Sequence, residues 1–209
     1  MPHTVKIALH TPTGKFMHID KAENGSACNC ECIKCGEELE AIQGEIREKH
    51  FRHATNKDCD GAQEAALREL GKQLLVESNK INLPNLGKIT YSNPIAEKKL
   101  NGYRPDVAVQ LHEQPLYFDV FVSDSINNNK ESYVKRYGLN CIEIDLSSNL
   151  STSFNEIRNK IFDNLDNKRI IHWKTVTPTE VLQNNKYLIG AIASSAFVFF
   201  GLARLLRKK

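Results

Sequence analysis

Two aspartates, Asp106 and Asp119, stand where a carboxylate could do chemistry. The first lies in Tyr103-Arg-Pro-Asp-Val-Ala-Val109 and the second in Leu116-Tyr-Phe-Asp-Val-Phe-Val122. A lysine, Lys130, and a third apolar run, Cys141-Ile-Glu-Ile-Asp-Leu146, follow. Short runs rich in Val, Ile, Tyr and Phe between polar breaks predict strands. Ionised carboxylates are costly to hold on a sheet unless compensated, and a divalent cation is the usual compensator. An acid opening one strand, a second inside the next and a lysine beyond are what metal-dependent phosphodiester hydrolysis needs. Solvated strand acids would give the same spacing, so the pattern alone leaves both meanings open.

A second cluster suits a different metal. Cys28-Asn-Cys30-Glu-Cys32-Ile-Lys-Cys35-Gly36 contains a Cys-x-x-Cys pair with glycine behind it, the knuckle spacing by which two thiolates grip one zinc ion. His50-Phe-Arg-His53 and Cys59 follow. Cys32, Cys35, His53 and Cys59 complete a tetrahedral set, with His50 as an alternative to His53 and Cys28 or Cys30 as alternatives to the paired cysteines. Four protein ligands leave no open position, so the expected role is structural. Met1 to Leu9 lacks a signal-peptide pattern, which favours reduced thiols and metal over a disulfide framework. A metal-free cysteine-rich loop is the competing expectation.

The elements that must position these residues follow from periodicity. Thr4 to Ile19 predicts a hairpin turning at Thr13-Gly14, with His3, His10 and His18 as exposed strand histidines. Gly61 to Ser78 predicts a helix with Leu67, Leu70, Leu74 and Leu75 as its apolar stripe. Glu64 falls on or near that stripe, either as a first-turn acid favoured by the helix dipole or as a site residue turned toward the sheet. Leu83 to Ile95 predicts a loop around a short strand at Lys88 to Ser92. After the two acid-bearing strands come a short helix, Lys130 to Tyr137, closed by Gly138, and a strong strand, Asn140 to Leu146. A helix at Phe154 to Leu165 and an edge strand at Lys168 to Lys174 complete a mixed α/β fold.

The chain has 209 residues, 41% hydrophobic and 25% charged, ordinary for a globular protein with a sizeable core. Its net charge of +3 is concentrated at the end, in Arg204, Arg207, Lys208 and Lys209; without them 24 basic residues face 25 acidic ones. No strongly basic body exists to hold nucleic acid by charge alone, so any such binding is local.

Taken together, His50-Phe-Arg-His53, Cys59, Gly61-Ala-Gln-Glu-Ala-Ala-Leu67, Arg104-Pro-Asp-Val107 and Ile142-Glu-Ile-Asp-Leu-Ser147 resemble the competence CoiA-like proteins over roughly residues 4–173. That family joins a small zinc ribbon to a PD-(D/E)xK (restriction-endonuclease-like) nuclease core. The resemblance implies a hairpin and zinc ribbon over 1–60 and a mixed-sheet nuclease-like domain over 61–174. It carries the family's helix glutamate onto Glu64, its first strand aspartate onto Asp106 and its second strand acid onto Asp119. Its strand lysine falls on Phe121, which cannot do that work, and Lys130 is the candidate substitute. The activity implied is Mg²⁺- or Mn²⁺-dependent endo- or exonucleolytic hydrolysis, with DNA as substrate. Asp106, Asp119 and the Val120 backbone carbonyl would hold the metal, Lys130 would orient water or neutralise charge, and Glu64 would tune the site. Glu143 and Asp145 share one strand face and are expected to play supporting roles. An inactivated scaffold that binds nucleic acid or a partner protein is the competing class, and a homodimer is compatible with either.

The end of the chain is different in kind. Tyr187 to Ala203 is free of charge, and extending to Leu206 past Arg204 gives a run of the length a membrane-spanning helix needs. Residues 175–186 are expected to be a linker and 187–206 a C-terminal hydrophobic helix that crosses the membrane. With a cytoplasmic nuclease domain the basic end would lie against the positive-inside bias, unless the segment re-enters. The tail suggests a membrane-associated protein that meets DNA at the envelope, in uptake or in defence.

Overall fold

The computed structural model describes residues 4–45, 48–55, 59–123, 128–150 and 152–174. The N-terminal part forms five antiparallel strands: β1 (Ile7–His10), β2 (Lys15–His18), β3 (Gly25–Glu31), β4 (Glu38–Ile42) and β5 (His50–His53), in the order β2-β1-β3-β4-β5. Only the first hairpin follows from apolar alternation. The strands β3 to β5 are built from a cysteine-rich, polar sequence whose pairing is set by the turns between them. Their small core is Ala8, Ile19, Cys28, Cys30, Leu39, Ala41 and Phe51.

The helix α1 (Ala62–Glu77) forms where the leucine stripe predicts it, and Leu67, Leu70, Leu74 and Leu75 are all buried. Each such leucine contributes about 1.5–3 kcal/mol by leaving water. The two ends of α1 also dock the N-terminal sheet. The Lys6 N–H donates to Gln63 Oε1 at 2.6 Å and the Phe16 N–H to Gln73 Oε1 at 2.7 Å, so two glutamines satisfy strand donors that have no strand partner there.

Beyond α1 come a separate hairpin, β6 (Lys80–Leu83) with β7 (Gly87–Thr90), then β8 (Ser92–Ala96), β9 (Val107–Leu111), β10 (Gln114–Phe121), α2 (Asn128–Arg136), β11 (Cys141–Asp145), α3 (Phe154–Phe162) and β12 (Lys168–His172). The second large sheet runs β12-β11-β10-β9-β8. Only β10 and β11 are parallel, joined across α2; the other pairs are antiparallel. Among the described residues the fold is thus mixed α/β, with a five-stranded antiparallel sheet, a five-stranded mixed sheet and the two-stranded β6–β7 sheet. The strand β8 was not expected, because its sequence, Ser-Asn-Pro-Ile-Ala, is polar and carries a proline. An edge position tolerates that proline, and pairing with β9 supplies the order its own residues do not.

Strand alternation sorts β10 between two layers. Leu116, Phe118 and Val120 meet α1, together with Val107, Val109, Ile142, Ile144 and the α3 residues Ile157 and Ile161. Gly71 lets α1 close on the sheet, since a Cβ there would lie 3.1 Å from Val120 Cγ1. Tyr117 turns to the opposite layer with Tyr103, Ala108, Val134, Cys141 and Ile171, beneath α2. Asp119 and Phe121, two and four residues on from Tyr117, share that face.

His18 is not the exposed histidine expected from sequence. It is 2% exposed, its Nε2 bonds the Thr152 carbonyl at 3.0 Å, and its Nδ1 accepts the Asp20 N–H at 3.2 Å. His10 is half-buried, and His3 lies outside the described residues. The compact unit ends at Trp173; the linker expected at 175–186 and the hydrophobic helix at 187–206 also lie outside the described residues. Among the described residues no helix is long and apolar enough to cross a membrane.

Candidate functional site

The first site forms where β9 and β10 part. Their ladder ends at the pair Val107 and Phe118, one step short of Asp106 and Asp119. Side chains then replace backbone pairing. The Asp106 N–H donates to Asp119 Oδ1 at 3.3 Å, and the Val120 N–H donates to Asp106 Oδ2 at 2.8 Å. Each carboxylate is therefore anchored on the backbone of the other strand, where the two strands part. Among the described residues Asp106 Oδ1 has no hydrogen-bond partner.

Asp119 is 3% exposed and ringed by donors. Tyr103 Oη donates to its Oδ2 at 2.5 Å, and Cys141 Sγ lies 3.7 Å from the same oxygen. Lys130 Nζ, delivered from the first turn of α2, stands 3.8 Å from Oδ1 and 5.9 Å above the Tyr103 ring. Burial pushes the Asp119 carboxyl above the usual carboxylate range, and the Asp106 charge adds to the rise; the Tyr103 hydroxyl and the Lys130 ammonium oppose it. Burial also drives the Tyr103 hydroxyl and the Cys141 thiol upward, so both stay protonated donors.

The structure brings Asp106, Asp119 and Lys130 together. Phe121 occupies the position two residues after Asp119, half-buried, with its carbonyl accepting the Leu146 N–H at 2.8 Å. Glu64 sits in the first turn of α1, half-buried, and among the described residues makes no hydrogen bond or ion pair. It borders a separate cleft with Lys34, Arg68, Glu69 and Ser123. Glu143 lies beside Asp119 in the parallel register but pairs with Arg169 Nε at 2.9 Å. Asp145 Oδ1 accepts the Ser147 N–H at 2.8 Å, which fixes the turn after β11.

Sequence reasoning missed Tyr103 and Cys141 as partners of Asp119, because only strand pairing brings them there. It also missed Lys72 on α1. This lysine is 5% exposed and pairs with Glu69 and with Glu97, whose carboxylate also meets Arg104. The Glu97 N–H in turn donates to the Asp106 carbonyl at 2.9 Å. Its sequence signal is a lysine between the stripe residues Leu70 and Leu74.

The second site gathers Cys32, Cys35, His53 and Cys59, whose ligand atoms all lie within 4.8 Å of one another. The knuckle is closed by the Cys32 N–H to the Glu37 carbonyl and the Gly36 N–H to the Cys32 carbonyl, each at 2.8 Å. His53 Nε2 is buried without a hydrogen-bond partner, an orphan that a metal ion would satisfy. The thiols have opposed leanings. Backbone donation from Glu37 lowers the exposed Cys35, whereas burial and the neighbouring sulfurs raise Cys59 to about 11. Thiolates packed this closely repel one another without a cation among them, so the four residues form a cluster that can hold a metal such as zinc.

His50, the alternative ligand, is not brought to this cluster. Three residues apart on one strand, His50 and His53 point to opposite faces, and His50 Nδ1 bonds the Glu48 carbonyl at 2.8 Å. Cys28 and Cys30 are also elsewhere, their thiols donating to the carbonyls of Leu39 and Cys28 in the small core. No known protein family, curated protein or solved structure matches the chain.

Proposed function

We propose that this protein is a metal-dependent nuclease of the PD-(D/E)xK type with a structural zinc ribbon, acting on DNA. One observation carries the reading: Asp106, Asp119 and Lys130 converge where β9 and β10 separate, with Lys130 Nζ 3.8 Å from Asp119. The element order supports it, since, apart from the inserted β6–β7 hairpin, α1, β8, β9, β10, α2 and β11 run helix, three antiparallel strands, helix and a parallel strand.

The donor set suits a hard cation. The two carboxylates are near enough for the Asp106 charge to raise Asp119, one Asp106 oxygen is free among the described residues, and positive charge relieves the repulsion. Asp106, Asp119 and the Val120 carbonyl would be its ligands. When bound, it supplies charge stabilisation for the phosphoryl oxygens and a water acidified toward hydroxide. Tyr103 fixes the Asp119 carboxylate through its hydroxyl. Lys130 orients the attacking water or neutralises developing charge, in place of a strand lysine. Zinc at Cys32, Cys35, His53 and Cys59 holds the ribbon together. Residues 187–206 tether the protein at the membrane, in DNA uptake or defence; salt-resistant fractionation with membranes tests that part.

Cleavage of supercoiled and linear DNA with Mg²⁺ or Mn²⁺ tests the chemistry, beside Asp106→Ala and Lys130→Ala. Removing a charge that stabilises the transition state costs about 10²–10³ in rate. Metal-dependent cutting lost in both variants is the expected result. A second reading, a binding module without catalysis, is favoured by Phe121 and by the donors already on both Asp119 oxygens. Folded, zinc-loaded protein that binds DNA or RNA and cuts neither would establish it.

A further inference from the structure

A cleft of about 320 Å³ lies between the zinc knuckle and the start of α1, bordered by Lys34, Gly61, Glu64, Arg68, Glu69 and Ser123. Its charges are not balanced internally. Glu69 is taken by Lys72, while among the described residues Lys34 and Arg68 form no ion pair or hydrogen bond. Lys6, Arg52, Lys72 and Arg169, by contrast, each hold a carboxylate. Two cations therefore face the cleft against one uncommitted acid, Glu64.

The geometry suits an anion that is approached closely. Gly61 leaves the floor bare: a Cβ there would come within 3.4 Å of Glu64 Oε2 and 3.7 Å of Lys34 Nζ. The Lys34 backbone is fixed between Cys32 and Cys35, so the ribbon presents its ammonium from a rigid knuckle. Ser123 puts the cleft at the end of the strand that carries Asp119. Ser123 lies four positions beyond Asp119, a span of at most about 14 Å for extended chain.

We infer that this cleft seats a backbone phosphate of the nucleic-acid strand that runs to Asp106 and Asp119, with Lys34 and Arg68 as its ligands. The choice of phosphate rests on the nuclease reading, and the seat gives the zinc ribbon a part in holding substrate. Arg68 offers a fork of donors to the phosphate oxygens and Lys34 a point charge. Contacts of this kind do not read sequence, so their loss weakens binding uniformly.

Binding of a labelled oligodeoxynucleotide, single-stranded and duplex, to the full chain without added Mg²⁺ or Mn²⁺ tests the seat apart from cleavage. Each phosphate contact is worth about tenfold in affinity near 0.1 M salt and about one unit of the salt-dependence slope. Lys34→Gln and Arg68→Gln should each weaken binding about tenfold, and the pair should flatten the slope by about two, with zinc content unchanged. Equal affinity and slope in wild type and double variant would overturn the seat, whatever the cleavage assay gives. Binding that needs both cations, in a protein that cuts nothing, would keep the seat and remove the nuclease.

Discussion

Gly102→Ala should destabilise the fold by about 2–4 kcal/mol, through two separable effects. Asn101 and Gly102 make the tight turn that closes the bridge between Leu100 and Tyr103, and Gly102 has φ +87°. That angle is open to glycine and costs an L-residue about 1–2 kcal/mol. The second effect is steric, because the new Cβ would lie 2.8 Å from Tyr133 Cε2. The ring cannot simply swing away, since it packs at 5.9 Å from Tyr103 and 4.4 Å from Tyr137 between ring centres. Displacing it forfeits ring contacts worth about 0.5–1.5 kcal/mol each. Urea unfolding of zinc-loaded protein measures the sum. Repeating it in a Tyr133→Ala background removes the atoms the Cβ meets, and there Gly102→Ala should cost only the backbone part, about 1–2 kcal/mol. A cost below about 0.5 kcal/mol, or an equal cost in both backgrounds, would refute the reasoning.

Zinc analysis should find one ion per chain, lost in His53→Ala and Cys59→Ala and retained in His50→Ala; the reverse result for the two histidines would mean the knuckle is assembled differently. His18 should make stability pH-dependent. Burial holds its imidazole below the usual 6.5, so the folded chain keeps it neutral while the unfolded chain protonates. Its contribution is complete above the unfolded value and is lost as pH falls from there toward the lowered folded value. His18→Gln should therefore flatten the loss of stability between about pH 7 and pH 5; parallel curves for the two proteins would count against it.

What was legible in this sequence was whatever its residues declare locally. The stripe of Leu67, Leu70, Leu74 and Leu75 announces α1, and the Val- and Ile-rich runs announce β10 and β11. Cys32-x-x-Cys35-Gly36 announces a knuckle, because thiolate spacing and glycine permission act within five residues. The choice between His50 and His53 was not legible, since it depends on β5 being a strand, and Phe51 is the only strongly apolar residue among its four. The surroundings of Asp119 were hidden for a similar reason. Tyr103, Cys141 and Lys130 come from three separate segments, and only the β9, β10 and β11 pairings with α2 above them make neighbours of them. His18 shows the limit of typical behaviour: a polar ring was expected outside, but the Thr152 carbonyl and Asp20 supply partners that allow it inside.

The origin of the lysine changes how the candidate site depends on the rest of the fold. A lysine on β10 itself would be fixed by the same ladder that fixes Asp119, and nothing short of unfolding the strand would separate them. Lys130 belongs to α2, so its distance from Asp119 depends on how that helix lies on the sheet. Val134 is fully buried in that interface, and Tyr133 braces the helix against Tyr103, which is also the residue that holds Asp119. The loop through Gly102 thus sets two parts of the site at once, the orientation of the acid and the reach of the cation. A substitution that spoils the Gly102 and Tyr133 contact should harm the proposed metal-dependent cleavage beyond its cost in stability, measured under conditions where the variant is fully folded. Had the lysine stood at Phe121, the same substitution would leave lysine and acid in register.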